Sequence, residues 1–260
     1  MCRLLGYFGL PLQLDRLLLD PDHSLIVQSY QPREMTAGVL NADGFGVGWY
    51  HAHQNTEPFF YKNTLPIWND INLPSLSRYV ESGCVMANVR SATPGLAVDL
   101  SNCQPFRQGQ VLAMHNGFID SFRQTLYRPI RDRLSDSAYQ TIQGMTDSEH
   151  IFALLLDELH TEPSLPKALH RTIDLLTQLA AKQPTSFSAN LIVSDGQQLV
   201  ASRYANHDIV PTLYWLQDDP AFPQSVMIAS EPLFAGNWNL LPDRCIFTVD
   251  HDLNLQIFSL

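Results

Sequence analysis

The sequence has little positive charge, few cysteines and no long apolar run. Asp+Glu total 26 against 16 Lys+Arg, so the formal net charge is -10 over 260 residues. This acidic balance repels phosphate backbones, and we expect no nucleic-acid partner. No apolar run approaches the roughly 20 residues that cross a bilayer, so we also expect no membrane association. The first residues carry only Arg3 and break early at Pro11, unlike a secretory signal, which predicts a cytoplasmic protein.

Several sequence signatures of hydrolases and metal sites are missing. The four cysteines, Cys2, Cys84, Cys103 and Cys245, show no CxxC spacing, which disfavours a zinc ribbon or a thioredoxin-like site. In a reducing compartment they are expected to be free thiols. The chain also lacks a GxSxG nucleophile elbow and an HExxH helix, so we predict neither a serine hydrolase nor a metal site.

Strand-like runs occupy both ends of the chain, and helical periodicity occupies the middle. Apolar residues recur at helical spacing from Ile151 to Leu159 and again from Leu169 to Ala180. Asp195-Gly196 lies between two strand-like runs and predicts a hairpin. Strands followed by helices and then strands indicate an α+β protein and not an alternating βαβ sheet.

Cys2 follows Met1 directly, at the start of an apolar run typical of a strand. Methionine aminopeptidases remove Met1 when the second residue is small, as cysteine is. Removal would leave a thiol and an α-amine on one residue, and a neutral amine can take the thiol proton. Cys2 would then be a nucleophile that carries its own base. The alternative is a small apolar residue that begins an edge strand.

The stretch "NVRSATPG", residues 88–95, places Arg90 at the end of a strand-like run and before a Pro-Gly turn. A guanidinium at the end of a strand suits a bidentate grip on a carboxylate. The alternative is a surface arginine beside a turn.

The stretches "MHNGFI" and "MTDSEHI" suggest the remaining polar groups of a site. The Asn116 side-chain amide and the Gly117 N–H would give two donors at a developing oxyanion, although Asn-Gly is most often only a turn. Asp147 at a helix start would pair with a substrate ammonium, or would serve in helix capping. His115 invites a general-base role, but a structural or supporting role is favoured because an α-amine is available.

A thiol nucleophile, a carboxylate clamp, an oxyanion hole and an ammonium acceptor are together the set needed to hydrolyse a γ-glutamyl amide. Their order along the chain resembles that of the class II glutamine amidotransferases, which are N-terminal-nucleophile hydrolases. This chain departs at two positions from the family pattern Thr-Arg-Trp-Ala-Thr-His-Gly: Ser91 replaces Trp, and Pro94 replaces His. The matching positions are Arg90, Ala92, Thr93 and Gly95.

This resemblance implies a four-layer αββα sandwich, formed by a single domain of residues 1–260 from which Met1 is removed. It implies that Cys2 forms a thioester while Asn116 and Gly117 stabilise the oxyanion. Arg90 would hold the substrate α-carboxylate and Asp147 the α-ammonium. The other residues of the expected substrate-binding set are Ser91, Thr93 and His115. No cofactor is implied.

A narrower resemblance is carried by residues 19–34, 40–50 and 228–233, which read "LDPDHSLIVQSYQPRE", "LNADGFGVGWY" and "IASEPL". These stretches resemble the stand-alone γ-glutamyl hydrolases of ergothioneine biosynthesis. The implied substrate is γ-glutamyl-hercynylcysteine sulfoxide, and the implied product is glutamate.

Two other functions stay open at this point. One is a glutaminase that supplies ammonia to a separate synthase, and the other is a catalytically silent γ-glutamyl-binding protein. The sequence does not fix the oligomeric state, including a homo-oligomer, or the residues that contact the leaving group. Ser91 and Pro94 are candidates for that contact.

Overall fold

The computed structural model describes residues 2–35, 38–51, 56–92 and 97–260. These residues form thirteen β-strands, arranged in two sheets, and seven α-helices. Thr93, Pro94 and Gly95 of the arginine motif lie outside the described residues. No helix in the described ranges is both long and apolar enough to cross a membrane.

The larger sheet has seven strands in the order β11-β9-β10-β1-β4-β2-β3, all paired antiparallel. Its central strand, β1, therefore has neighbours from distant parts of the chain. The strands are β1 (Arg3–Gln13), β2 (Phe45–Trp49), β3 (Phe59–Asn63), β4 (Glu81–Val89), β9 (Tyr214–Asp219), β10 (Phe222–Ala229) and β11 (Asn239–Leu240).

The smaller sheet has six antiparallel strands in the order β13-β12-β8-β7-β6-β5. The predicted hairpin at Asp195-Gly196 is confirmed, because it joins β7 to β8 and Gly196 adopts a φ of 86°. The strands are β5 (Phe106–Gln108), β6 (Val111–Ile119), β7 (Phe187–Ser194), β8 (Gln198–Arg203), β12 (Cys245–Asp250) and β13 (Leu255–Ser259).

The two periodic segments form the two longest helices of the described residues, α6 (Asp147–Thr161) and α7 (Leu165–Lys182). Helix α6 begins after Thr146, whose side-chain oxygen accepts a hydrogen bond from the Glu149 N–H, a typical N-cap arrangement. The shorter helices are α1 (Asp15–Leu18), α2 (Leu25–Tyr30), α3 (Leu73–Tyr79), α4 (Tyr127–Arg131) and α5 (Asp136–Tyr139).

Three apolar clusters hold the layers together. One joins α1, α2 and α3 to the outer face of the larger sheet and includes Leu17 and Val85. A second joins α6 and α7 to the outer face of the smaller sheet and includes Leu155 and Leu191. A third, which includes Leu4, fills the space between the two sheets and is called here the inter-sheet layer. The expected α+β fold, a four-layer αββα sandwich, is confirmed.

Candidate active site

Cys2 and Arg90 lie at the same end of two neighbouring strands of the larger sheet. Arg3 pairs with Val89 across β1 and β4, and continuing this antiparallel register by one residue places Cys2 opposite Arg90. Cys2 is partly exposed, whereas Arg90 is buried. The predicted nucleophile and the predicted carboxylate clamp are therefore neighbours at the end of the central strands.

Three asparagines continue the inter-sheet layer toward this end: Asn88 of β4, Asn116 of β6 and Asn190 of β7. All three are fully buried, and Asn116 pairs with Asn190 across β6 and β7. Because alternate residues of a strand face one side, each shares a face with an apolar residue two positions away. Those apolar residues of the inter-sheet layer are Met86, Met114 and Ile192.

Contacts along the layer place these asparagines two residues inside Cys2. At the opposite end of the layer, Cys84 Sγ lies 3.3 Å from Ser194 Oγ. Midway along it, a Cβ built on Gly6 would lie 3.2 Å from the Ile192 side chain. Both sheets therefore run in step: Asn88 pairs with Leu4, two residues from Gly6, and Cys2 and Arg90 follow two residues further along. The polar end of the inter-sheet layer consists of Cys2, Asn88, Arg90, Asn116 and Asn190.

The Asn116 side chain is buried without a hydrogen-bond partner. Neither its Nδ2 nor its Oδ1 atom contacts an acceptor or donor among the described residues. An unsatisfied buried polar group costs about 1–3 kcal/mol. Sites that bind ligands are where such groups are expected, because a ligand oxygen can supply the missing partner. The amide of Asn116 is thus available to an oxyanion at the polar end.

The Gly117 N–H is a second free donor. Ala189, its partner on β7, donates its own N–H to the Tyr204 carbonyl on the far side, so Gly117 and Ala189 form a non-hydrogen-bonded pair. The Gly117 N–H consequently points away from β7, and the described residues offer it no acceptor. On the same edge of β6, the flanking N–H groups of His115 and Ile119 are both satisfied by side chains.

Gly117 is also sterically required. A Cβ at this position would collide with the Ser188 carbonyl oxygen and with His115 Nε2. Backbone oxygens cannot move as a flexible side chain can, so any larger residue would push β6 away from β7.

Asp147 joins helix α6 to strand β6. Its Oδ1 atom accepts the Ser148 N–H and its Oδ2 atom accepts the Ile119 N–H, both at 2.8 Å. The capping function that competed with the ammonium hypothesis belongs to Thr146. Oδ2 keeps a free lone pair, the Ser148 hydroxyl also lies 3.4 Å from Oδ1, and the side chain is only partly buried. Binding of a substrate ammonium by Asp147 stays a prediction.

His115 faces the helical layer and not the polar end. Its Nε2 donates to the Ser188 carbonyl at 3.1 Å, which leaves Nδ1 to accept from the Ser148 hydroxyl at 2.9 Å. Burial lowers the pKa of His115, although the Asp147 carboxylate opposes this shift, and the imidazole is neutral. Both nitrogens have partners within the protein, which fits the favoured structural role, and the place of His115 in the expected substrate-binding set stays a prediction.

Arg90 is fixed by the segment that precedes β2. Its Nη1 donates to the Asp43 carbonyl at 3.1 Å, and its own backbone exchanges hydrogen bonds with Asp43 and Gly44. The Asp43 carboxylate also accepts the Ala92 N–H at 2.7 Å. Ser91 is partly exposed beside this arrangement, and Thr93 lies outside the described residues. Asp43 was not anticipated from the sequence.

The cysteines differ in their exposure. Cys84, Cys103 and Cys245 are buried free thiols, and burial raises the pKa of each of them. Cys2 is partly exposed. Cys2 is thus the cysteine most accessible to a substrate carbonyl.

Arg3 and Glu231 are further polar residues at the site that the sequence did not reveal. Both are 1% exposed, and Arg3 Nη1 lies 2.9 Å from Glu231 Oε1. The signal was a charge within each of two otherwise apolar stretches, "MCRLLGYFG" and "VMIASEPL". Nothing in either stretch indicates its partner at the other end of the chain.

Comparison with known proteins gives one family over nearly the whole chain. Residues 1–239 match the profile described as "Glutamine amidotransferases class-II". A curated relative from Mycobacterium tuberculosis, named gamma-glutamyl-hercynylcysteine sulfoxide hydrolase, is 33% identical over 96% of this chain and 93% of its own length. A second relative, from Saccharomyces cerevisiae, is named probable glutamine amidotransferase DUG3. It is 32% identical over 96% of this chain and 82% of its own length.

A solved structure is similar over its full length. The glutamine aminotransferase class-II domain protein from Silicibacter pomeroyi superposes with a TM-score of 0.72 and is 27% identical, with all of both chains covered.

Proposed function

This chain belongs to the class II glutamine amidotransferases, and we propose that it hydrolyses a γ-glutamyl amide through a thioester on Cys2. Members of this family are amidohydrolases with an N-terminal cysteine nucleophile, so the class of enzyme follows from membership. The observation that carries the proposal is the pair of free donors, the Asn116 amide and the Gly117 N–H, near Cys2.

The reaction begins once Met1 has been removed. The neutral α-amine of Cys2 takes the thiol proton, and Sγ attacks the γ-carbonyl carbon of the substrate. The carbonyl oxygen becomes an oxyanion that accepts hydrogen bonds from Asn116 Nδ2 and the Gly117 N–H. Collapse of this intermediate breaks the C–N bond, and the α-ammonium of Cys2 returns its proton to the leaving amine.

The second half of the reaction releases glutamate. Water attacks the thioester carbon while the α-amine accepts a proton from it. A second oxyanion forms in the same place and collapses with loss of the Cys2 thiolate, which is then reprotonated. Both tetrahedral intermediates use the same two donors, so these donors act on charge that is absent from the bound substrate.

Two charged groups would hold the glutamyl end. The Arg90 guanidinium would bind the α-carboxylate, and Asp147 would bind the α-ammonium with its remaining lone pairs. Neither residue contacts the leaving group, since both read only the amino-acid end that all γ-glutamyl amides share.

The proposed substrate is γ-glutamyl-hercynylcysteine sulfoxide. The mycobacterial relative named for this substrate supports it, at 33% identity over 96% of the chain. The yeast relative is almost equally similar and is named a probable glutamine amidotransferase, so glutamine is the second candidate.

A substrate comparison tests both candidates. Wild type and Cys2→Ala are assayed for glutamate release from glutamine, glutathione and the hercynyl conjugate, and intact mass establishes that Met1 is absent. We expect hydrolysis by wild type alone and the highest kcat/KM for the conjugate, since kcat/KM measures discrimination. A higher kcat/KM for glutamine would make the protein a glutaminase. Retention of Met1, with no hydrolysis at all, would indicate a γ-glutamyl-binding protein.

A further inference from the structure

Arg3 directly follows the proposed nucleophile Cys2, and its buried side chain hydrogen-bonds to the Cys2 carbonyl. Arg3 Nε donates to the Cys2 carbonyl oxygen at 2.8 Å, and Arg3 Nη1 donates to Glu231 Oε1 at 2.9 Å. The β-ladder begins only at Arg3, so it does not itself hold the Cys2 carbonyl. The Arg3 guanidinium therefore holds the Cys2 carbonyl in place, as strand pairing holds the backbone of the residues that follow.

Glu231 receives four hydrogen bonds. Its Oε1 accepts from Arg3 and from the Glu34 N–H, and its Oε2 accepts from His23 Nε2 and the Arg33 N–H, all within 3.0 Å. Burial opposes ionisation of this carboxyl, but these donors lower the pKa of Glu231 to about 2. It is an anion throughout the physiological range and has no lone pair left for another partner.

Glu231 also binds the chain that precedes β2. The N–H groups of Arg33 and Glu34 donate to its carboxylate. Asp43, which binds the Arg90 side chain, comes later in the sequence, after residues 36 and 37, which lie outside the described residues. One carboxylate thus fixes the start of β1 and the backbone at Arg33 and Glu34.

Stability alone does not explain a fully buried ion pair. Replacing such a pair with apolar residues of similar volume is often neutral or stabilising, because two charges must lose their hydration. Neighbouring positions on β1 and β10 are apolar and fully buried, as Leu5 and Ala229 are. The hydrogen bond from the Arg3 guanidinium to the Cys2 carbonyl gives a reason for a charged residue at this buried position.

We propose that Arg3 and Glu231 are positioning residues for Cys2: Arg3 fixes the orientation of the nucleophile through its carbonyl, and Glu231 fixes Arg3 and offsets its charge. This inference rests on the proposed function, because it assigns the two residues to the Cys2 reaction. Neither residue contacts the substrate.

Two variants test the positioning role. Arg3→Met removes both hydrogen bonds of the guanidinium, and Glu231→Gln keeps the shape of its side chain but loses the charge. Each should lower the kcat for γ-glutamyl hydrolysis with little change in KM, because the nucleophile is no longer held in place. Alkylation of Cys2 by iodoacetamide at a fixed pH, followed by peptide mass spectrometry, gives a readout without substrate, and its rate should differ from that of wild type in both variants. Arg203→Lys is the matched control, a buried arginine of the smaller sheet with an ion pair to Asp243, and should leave kcat and the alkylation rate unchanged.

Arg3→Lys separates geometry from charge. It keeps a cation but loses the fork that joins Cys2 to Glu231. The kcat for γ-glutamyl hydrolysis should nevertheless fall by roughly 100-fold with little change in KM, as expected when a nucleophile is misplaced by about 1 Å. A purely structural role predicts loss of stability with no change in kcat per folded molecule.

The outcomes are distinguishable. Wild-type kcat together with a wild-type alkylation rate in folded Arg3→Met and Glu231→Gln would overturn the positioning role. If those two variants do not fold, wild-type kcat in folded Arg3→Lys would still overturn it. Changed alkylation rates in variants of a protein that hydrolyses no γ-glutamyl amide would support the positioning of Cys2 while removing the proposed function.

Discussion

The Asp147 carboxylate accepts a hydrogen bond from the Ile119 N–H at 2.8 Å. Ile119 lies two residues beyond Gly117 on the same edge of β6, so helix α6 is attached to the strand that carries the oxyanion donors. The residue proposed to bind the substrate ammonium and the residues proposed to stabilise the oxyanion therefore belong to one structural unit. A change in the distance between Asp147 and Ile119 would alter the spacing between the proposed ammonium-binding carboxylate and the proposed oxyanion donors.

Arg90→Ala and Asp147→Asn should weaken the hydrolysis of glutamine and of the hercynyl conjugate by similar factors. Each removes one charged partner of a substrate group that both compounds share, which typically costs at least about 2 kcal/mol, or roughly 30-fold. Asparagine still offers an oxygen to the Ile119 N–H, so Asp147→Asn should fold. The kcat/KM values of both variants on both substrates check this. A variant that loses only one of the two substrates would show that its residue contacts the leaving group.

Cys2→Ala should abolish hydrolysis without loss of the fold, and Cys2→Ser should retain at most a trace. Cys2 is partly exposed and precedes the first ladder pair, so truncating its side chain removes little packing. A hydroxyl is a much weaker nucleophile than a thiol near neutral pH. Turnover and urea unfolding are measured together, with Cys103→Ala as the thiol control. Normal turnover by Cys2→Ala would exclude the thioester mechanism.

Asn116→Ala should lower kcat by on the order of 10²–10³ while changing KM little, because the amide acts on charge that appears only during reaction. The variant also removes two unsatisfied buried atoms, so it should be no less stable than wild type apart from the small cavity left by truncation. Asn206→Ala is a suitable control, since that side chain bonds the Phe187 N–H and the Thr185 carbonyl away from the site. It should lower stability and leave kcat unchanged. An effect of Asn116→Ala on KM alone would make the residue a ground-state contact.

Stability should fall between pH 6.5 and pH 5 because of His150. Burial lowers the pKa of His150 to about 4, and the Arg131 guanidinium donates to its Nε2. The unfolded chain, with a histidine pKa of about 6.5, binds more protons than the folded chain in this window. The free energy of unfolding should therefore decrease as the pH falls, with a slope that rises from about half of 1.4 kcal/mol per pH unit at pH 6.5 toward about 1.4 near pH 5. Urea unfolding at several pH values measures the slope.

The matched variants identify the source of that slope. His150→Gln keeps a donor for the Thr146 carbonyl and an acceptor for Arg131, and it should reduce the slope by about one proton. His251→Gln replaces an exposed histidine and should leave the slope unchanged. Buried His115 contributes in the same direction, so a residual slope is expected. An unchanged slope in His150→Gln would show that its proton uptake is not coupled to unfolding.

Local features of the fold were readable from the sequence. The periodic segments became α6 and α7, and Asp195-Gly196 became a hairpin, because spacing and turn chemistry act over a few residues. The short stretches around Arg90, Asn116 and Asp147 were identified in the same way. Each carries its chemistry within a handful of residues.

Features that depend on distant partners were not readable. The free Gly117 N–H exists because β5 pairs with β6 only as far as Ala113, which no local pattern indicates. The partner of Arg3 is Glu231, near the other end of the chain. For His115, the adjacent Asn116 invited a general-base role although a structural role was favoured, and strand alternation turns its ring toward the helices. Each of these outcomes depends on how the two sheets assemble.

The central place of β1 has a consequence for the order of events during synthesis. Leu5 pairs with Ala87 on one side and with Ala229 on the other, so the ribosome must release most of the chain before β1 has both neighbours. Pairings of such long sequence separation form slowly. We expect an aminopeptidase to reach Met1 while this strand is still unpaired, so the α-amine of Cys2 would be exposed before the pocket that uses it exists.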